Sequence, residues 1–178
     1  MKNSRLIMLS LALVVTVQGM AGCVTDTPSD VKPRDVKPRD FNLIFKYGVT
    51  ARNELNTFEG TYTKDMIMDP SITVELSLTE EELDRIYQKM LEIDFFDYPD
   101  AFSVPVAPSR LTKLRIPYIS YYFKVEYNSS IKELRWEDEI QNENEEADKL
   151  RELIRLIKDI IESKEEYQKL PAPTSGYE

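Results

Sequence analysis

Histidine is absent from the 178 residues, cysteine occurs once and glycine only five times. Imidazole is the commonest side-chain base near neutral pH and the commonest neutral metal ligand. Ser-His-Asp, Cys-His, zinc-hydrolase and facial-triad chemistries therefore all lose a required part. A single thiol allows no intramolecular disulfide, no thiolate cluster and no dithiol redox pair, so the fold must cohere by packing. No Gly-rich phosphate loop is present, and Ser109 with Lys113 departs from the Ser-x-x-Lys spacing of acyl-serine enzymes. On these grounds neither a cofactor nor a metal is expected. What the chain does have is 42% apolar and 31% charged residues, ordinary for a globular domain. Residues 41–178 hold 17 bases against 28 acids. That balance lacks a basic footprint, and nucleic acid is not an expected partner.

The N-terminus carries Lys2 and Arg5 and then an apolar run of twelve, Leu6 through Val17. A membrane-spanning helix needs about 20 such residues, whereas a secretory h-region has about this length. The run ends in Gly19-Met20-Ala21-Gly22-Cys23. This resembles the bacterial lipobox, with small residues before a cysteine, although Met20 stands where Leu is usual. The resemblance implies cleavage between Gly22 and Cys23 and diacylation of the Cys23 sulfur. It also implies a membrane partner reached through diacylglycerol, on the extracytoplasmic face of the cell membrane. In a double-membraned cell it implies outer-membrane sorting, because Val24 and not Asp follows the cysteine. Two acyl chains anchor stably, each buried methylene contributing about 0.8 kcal/mol. The competing reading is an ordinary cleaved signal with an incidental cysteine. The organisation that follows is a signal peptide over 1–22, a lipidated Cys23 and tether over 23–40, one domain over 41–170 and a disordered tail over 171–178.

Within the tether a Val-Lys-Pro-Arg unit occurs at Val31 to Arg34 and again at Val36 to Arg39, each flanked by Asp. Proline fixes φ and biases its predecessor away from the α region, so the stretch reads as an extended spacer. Two readings stand: a stalk reaching at most about 50 Å, or a neutral linker free to vary in length.

In the domain, Phe41, Leu43, Phe45, Tyr47 and Val49 alternate with less apolar neighbours, the period of a strand. Thr57 to Met68 is a second β-prone stretch, halted by Asp69-Pro70, and Ile72, Val74, Leu76 and Leu78 mark a third. Thr79 with Glu82 forms a capping-box pattern, and Leu83, Ile86, Tyr87, Met90 and Leu91 then trace one helical stripe. Residues 99–117 contain four prolines and read as an irregular loop. Tyr118 to Tyr127, a turn at Asn128-Ser129-Ser130 and Ile131 to Trp136 read as a hairpin, and Ala147 to Ile161 as a long closing helix. The order is βββαββα. The expected fold class is α+β, a two-layer sandwich with a mostly antiparallel sheet of about five strands and two helices on one face.

The chain resembles uncharacterised lipid-anchored proteins of low-GC Gram-positive bacteria. The resemblance rests on the lipobox, on Asn56-Thr57-Phe58 leading into Gly60-Thr61-Tyr62-Thr63-Lys64-Asp65, and on Asp94-Phe95-Phe96-Asp97-Tyr98-Pro99. It implies location and architecture and no site.

For chemistry, composition permits a glycosidase-like carboxylate pair, with Asp65, Asp69, Asp94, Asp97 and Asp100 nearest the expected sheet edges and loops. Glu137-Asp138-Glu139 and Asn142 to Glu146 lack the calcium-loop pattern and read as a solvated helix start. Among ten tyrosines, Tyr62, Tyr118 and Tyr122 are assigned to the sheet face away from the core. Tyrosine suits a recognition surface, and it is also simply a good strand former. The leading functional expectation is a noncatalytic surface module that binds a protein, peptide or envelope component through the open sheet face or the proline-rich loop. The alternative is an extracytoplasmic hydrolase using carboxylates alone.

Overall fold

The computed structural model describes residues 36–106 and 111–174. The expected signal segment, Cys23, the first tether repeat and residues 175–178 lie outside the described residues.

Strand β1, Asn42–Gly48, buries Leu43, Phe45 and Tyr47 and turns Asn42, Ile44 and Lys46 to the other face. It pairs antiparallel with β2, Asn53–Asn56, which pairs with β3, Thr61–Met66, and β3 with β4, Asp69–Glu75. Gly60 closes the β2–β3 turn at φ +63, where a Cβ would stand 2.9 Å from Ser77 Oγ. Only glycine fits there without a shift. Helix α1, Glu80–Glu92, starts with the full capping box: Thr79 Oγ1 accepts from Glu82 N, and Glu82 accepts from Thr79 N. A 3₁₀ turn at Phe95–Asp97 leads to the two-residue β5, Ala101–Phe102. Then come β6, Leu114–Tyr127, and β7, Ser130–Ile140. They are joined by Asn128 and Ser129, both at positive φ as a tight two-residue hairpin turn demands. Helix α2, Glu145–Ser163, is capped by Asn144, whose Oδ1 accepts from Ala147 N, and a four-residue α3, Glu165–Gln168, follows.

The sheet order is β4-β3-β2-β1-β6-β7-β5, with β5 parallel to β7 and the other pairings antiparallel. Across the inner face Val74, Tyr62, Leu55, Phe45, Phe123 and Leu134 stand in one row. The helices cover that face. Tyr87 of α1 meets Phe41 edge-on at 5.2 Å, Tyr167 of α3 meets Tyr62 at 5.5 Å, and α2 buries Leu150, Leu153, Ile157 and Ile161 in the same core.

Among the described residues the architecture is thus α+β with one mixed seven-stranded sheet and three helices, in place of about five strands and two helices. Each difference has a local cause. Asn53–Asn56 is polar and short, and becomes β2 through its pairing on both sides. Asp69-Pro70 starts β4 instead of halting β3, because β4 is an edge strand and an edge tolerates the missing proline donor. The region expected to be all loop contains β5 and the first residues of β6. Glu137-Asp138-Glu139 belongs to β7 and not to a solvated helix start.

The second tether repeat is fastened to this unit. Lys37 Nζ lies 3.1 Å from Glu80 Oε2, and the Asp40 carboxylate accepts from Asn128 N at 3.0 Å and Ser129 N at 2.6 Å. Those amide donors hold the Asp40 carboxyl below its ordinary value.

Candidate functional site

The three expected surface tyrosines do not converge. Tyr122 does lie on the outer face, in register with Lys46 and Arg135, and the Arg135 guanidinium sits 5.3 Å from its ring centre. Tyr118 is 37% exposed near the start of β6. Tyr62 is a correction: at 1% exposure it belongs to the core, because its partners Leu55 and Val74 set it on the inner face. Its hydroxyl is 2.7 Å from that of Tyr47. Burial pushes both phenols well above their ordinary value.

The outer face between Tyr122 and β4 is polar. Lys46 pairs with Glu54 at 2.8 Å, and Thr63 shares a 2.8 Å hydrogen bond with Thr73. A flat aromatic recognition face is therefore not what the sheet presents.

The candidate carboxylates are also dispersed. Asp65 is buried on β3, where Oδ1 accepts from Ile67 N and lies 3.6 Å from Arg52 Nη1. Asp69 is exposed and accepts from Thr174, and Asp100 pairs with Lys132 at 2.7 Å. Asp94 and Asp97 line one recess of about 170 Å³ with Tyr98, Glu146 and Lys149. That is below the few hundred Å³ of a typical substrate pocket, and both side chains are exposed. The carboxylates whose acidity departs from the ordinary value, Asp40, Glu82, Glu145 and Glu152, are all shifted downward by donors or cations. A general acid needs the opposite shift. Among the described residues no three His, Cys, Asp or Glu side chains are grouped to hold a metal ion.

Two features escape the sequence reading. The first is Asp138, 1% exposed and on the inner face of β7. Arg151 of α2 grips it with Nη2 at 2.5 Å from Oδ1 and Nε at 3.2 Å from Oδ2, and Arg115 Nη1 reaches Oδ2 at 3.4 Å. Arg151 also donates to Ile140 O and lies over the Trp136 ring at 5.3 Å. The alternation Leu134, Trp136, Asp138 was the available signal. A carboxylate on that parity faces inward and must find a cation. Arg151 also pairs with Asp148 at 2.7 Å, so its charge and that of Arg115 are taken up by neighbouring acids, and the cluster reads as a structural clamp between β7 and α2.

The second feature is the segment Leu111 to Ile119. Most large apolar side chains in the unit are buried, yet Leu111 is 94% and Ile116 88% exposed, with Leu114 and Tyr118 also exposed between and beside them. The backbone explains the exposure. Leu114 pairs with Ile140 and Ile119 with Asp138, so residues 115–118 of β6 oppose Glu139 alone on β7. Such an excess cannot stay in the ladder and must arch out of it. On the other side β1 gives no support, since its last paired residue, Gly48, reaches only as far as Ser120. The result is a run of exposed apolar side chains at one end of the sheet. Its sequence signal is the absence of acid: residues 101–125 hold four bases and no Asp or Glu, inside a chain whose net charge is −9.

No described helix is long and apolar enough to cross a membrane. No family model, curated protein or solved structure matches the chain.

Proposed function

We propose that the protein is a lipid-anchored, extracytoplasmic contact module without catalytic machinery, and that Leu111 to Ile119 is its contact surface. The N-terminal sequence supports the anchor: a basic start, an apolar run of secretory length, and the chain's single cysteine behind Ala21-Gly22. One observation carries the contact surface. Four large apolar side chains are left in water within one nine-residue segment, whereas the other exposed ones, Val36, Phe58, Met68, Val106 and Ile131, are scattered singly along the chain. Exposed patches of this kind mark interaction sites. The proline-rich region is thus favoured over the open sheet face, whose ion pairs and threonine ladder leave little apolar surface to bury.

Two measurements test the reading. Cys23→Ser should release the protein from the membrane fraction or block its maturation, and unchanged fractionation removes the anchor. A photo-crosslinking residue at position 116, in intact cells, should give far more product than one at position 85 on α1. Equal yields at the two positions remove the contact surface.

A further inference from the structure

We propose that Asn128 is a latent deamidation site guarded by Asp40. While the strap of residues 36–40 is fastened the turn is inert; once it lifts, Asn128 converts to aspartate or isoaspartate, which hinders refastening. This goes beyond the contact-module reading and needs neither the anchor nor the contact surface.

The reacting pair is set by sequence. In succinimide formation the backbone nitrogen after an asparagine attacks the side-chain amide carbon, and a bulky following residue crowds that nitrogen. Among the described asparagines, Asn42, Asn53, Asn56, Asn142 and Asn144 precede Leu, Thr or Glu, and only Asn128 precedes a small residue, Ser129. Asn128 and Ser129 form the β6–β7 turn and are both exposed, so water and base reach them.

The guard is set by geometry. Ser129 N, the nucleophile of that reaction, donates to Asp40 Oδ2 at 2.6 Å, and Asn128 N donates to Oδ1 at 3.0 Å. A nitrogen whose hydrogen is held by a carboxylate is hard to deprotonate, since the anion formed would face the carboxylate's charge. The same two bonds pin a turn whose residues have φ of 47° and 60°, whereas ring closure needs rotation about the Asn128 ψ and χ1 bonds. Asp40 is presented by the strap. Phe41, buried in the core, donates from N to Pro38 O at 3.2 Å, and Lys37 Nζ lies 3.1 Å from Glu80 Oε2.

With the strap lifted, the step balances on solvent alone. Hydroxide takes the proton from Ser129 N, and that nitrogen bonds to Asn128 Cγ as the Cγ–Nδ2 bond breaks. Ammonia leaves with a proton from water, which restores the hydroxide. Water then opens the ring at either carbonyl, leaving aspartate or isoaspartate at position 128. The new carboxylate belongs to a residue whose N lies 3.0 Å from an Asp40 oxygen, and the like charges repel. Isoaspartate also lengthens the backbone of a two-residue turn, which spoils its fit to the hairpin. Lys37 then holds the strap through one ion pair to Glu80, whose side chain is 86% exposed, a contact of little strength. In an anchored chain, release of residues 36–40 lengthens the spacer by about 15 Å.

The test incubates the full chain at mildly alkaline pH and follows each asparagine by peptide mass spectrometry, through the mass gained as amide becomes acid. Asp40→Ala should raise the rate at Asn128 about tenfold over the parent, with Asn56 and Asn142 unchanged. Equal rates at Asn128 in parent and variant overturn the guard. So does a rise shared by all the asparagines, which would trace the effect to global unfolding. Asn128→Asp installs one product directly and should speed amide hydrogen exchange at Ser129 about tenfold. Unchanged exchange there overturns the unfastening.

Discussion

Replacing Asp138 by Asn tests the clamp between β7 and α2 most directly. The side chain keeps its size, and the charge that holds two arginines disappears. Removing one partner of a buried ion pair costs about 3–5 kcal/mol, chiefly because the other charge is left desolvated. Here Arg151 and Arg115 keep 23% and 36% of their side-chain surface in water, which screens part of that penalty. The expected cost is therefore at the lower end, about 3 kcal/mol, or roughly a hundredfold in the unfolding constant. With a urea m-value of about 1–3 kcal/mol/M, the unfolding midpoint should fall by at least about 1 M. Circular dichroism reads it, and Trp136, the single tryptophan, gives a second signal because it lies under the Arg151 guanidinium. Asp138→Leu combined with Arg151→Met should recover most of the loss, since an apolar pair of similar volume removes both charges at once. Arg115→Gln, at the exposed and more distant contact, should cost less than about 1 kcal/mol. A midpoint shift below about 0.3 M for Asp138→Asn, or a double variant as unstable as the sum of its singles, would refute the reasoning.

Thr79→Ala removes the side-chain half of the α1 capping box and should cost about 1 kcal/mol in the same urea assay. Alkaline stability follows from the buried phenols. Burial raises Tyr47 and Tyr62 above the ordinary value of 10, and pushes Tyr98 and Tyr121 up to about 12. A raised folded value means that the stabilising contribution is complete below pH 10 and is lost as pH rises through the folded values. The melting temperature should therefore hold up to about pH 10 and drop steeply above it, and Tyr62→Phe should make that drop shallower. An identical drop in parent and variant would count against the buried pair.

Elements with a self-contained pattern were legible in the sequence. The α2 stripe, the Thr79 to Glu82 box and the alternation in β1 each state their own period, and each folds as it reads. What was not legible depends on partners distant in the chain. The short segment Asn53–Asn56, polar but for Leu55, becomes a strand only because β1 and β3 flank it. The two residues of β5 pair with Arg135 and Trp136, more than thirty positions away. Tyr62, flanked by Thr61 and Thr63, sits where its neighbours' chemistry says little about burial, and the cross-strand row of Leu55 and Val74 decides its side.

The proposed contact surface was half legible, for a physical reason. Proline content drew attention to residues 99–117, but irregular backbone by itself does not distinguish a passive connection from a presenting one. The distinction comes from what is withheld. A passive loop in a chain with 32 acids should collect a share of them, because solvated turns are where Asp and Glu cost least. Their absence from residues 101–125 coincides with four apolar side chains left in water along the irregular stretch of β6 and just before it. Exposing Leu111 and Ile116 forgoes about 1.5–3 kcal/mol each relative to burying them. In a domain whose whole stability is of order 10 kcal/mol, such a loss persists where another surface recovers it on contact.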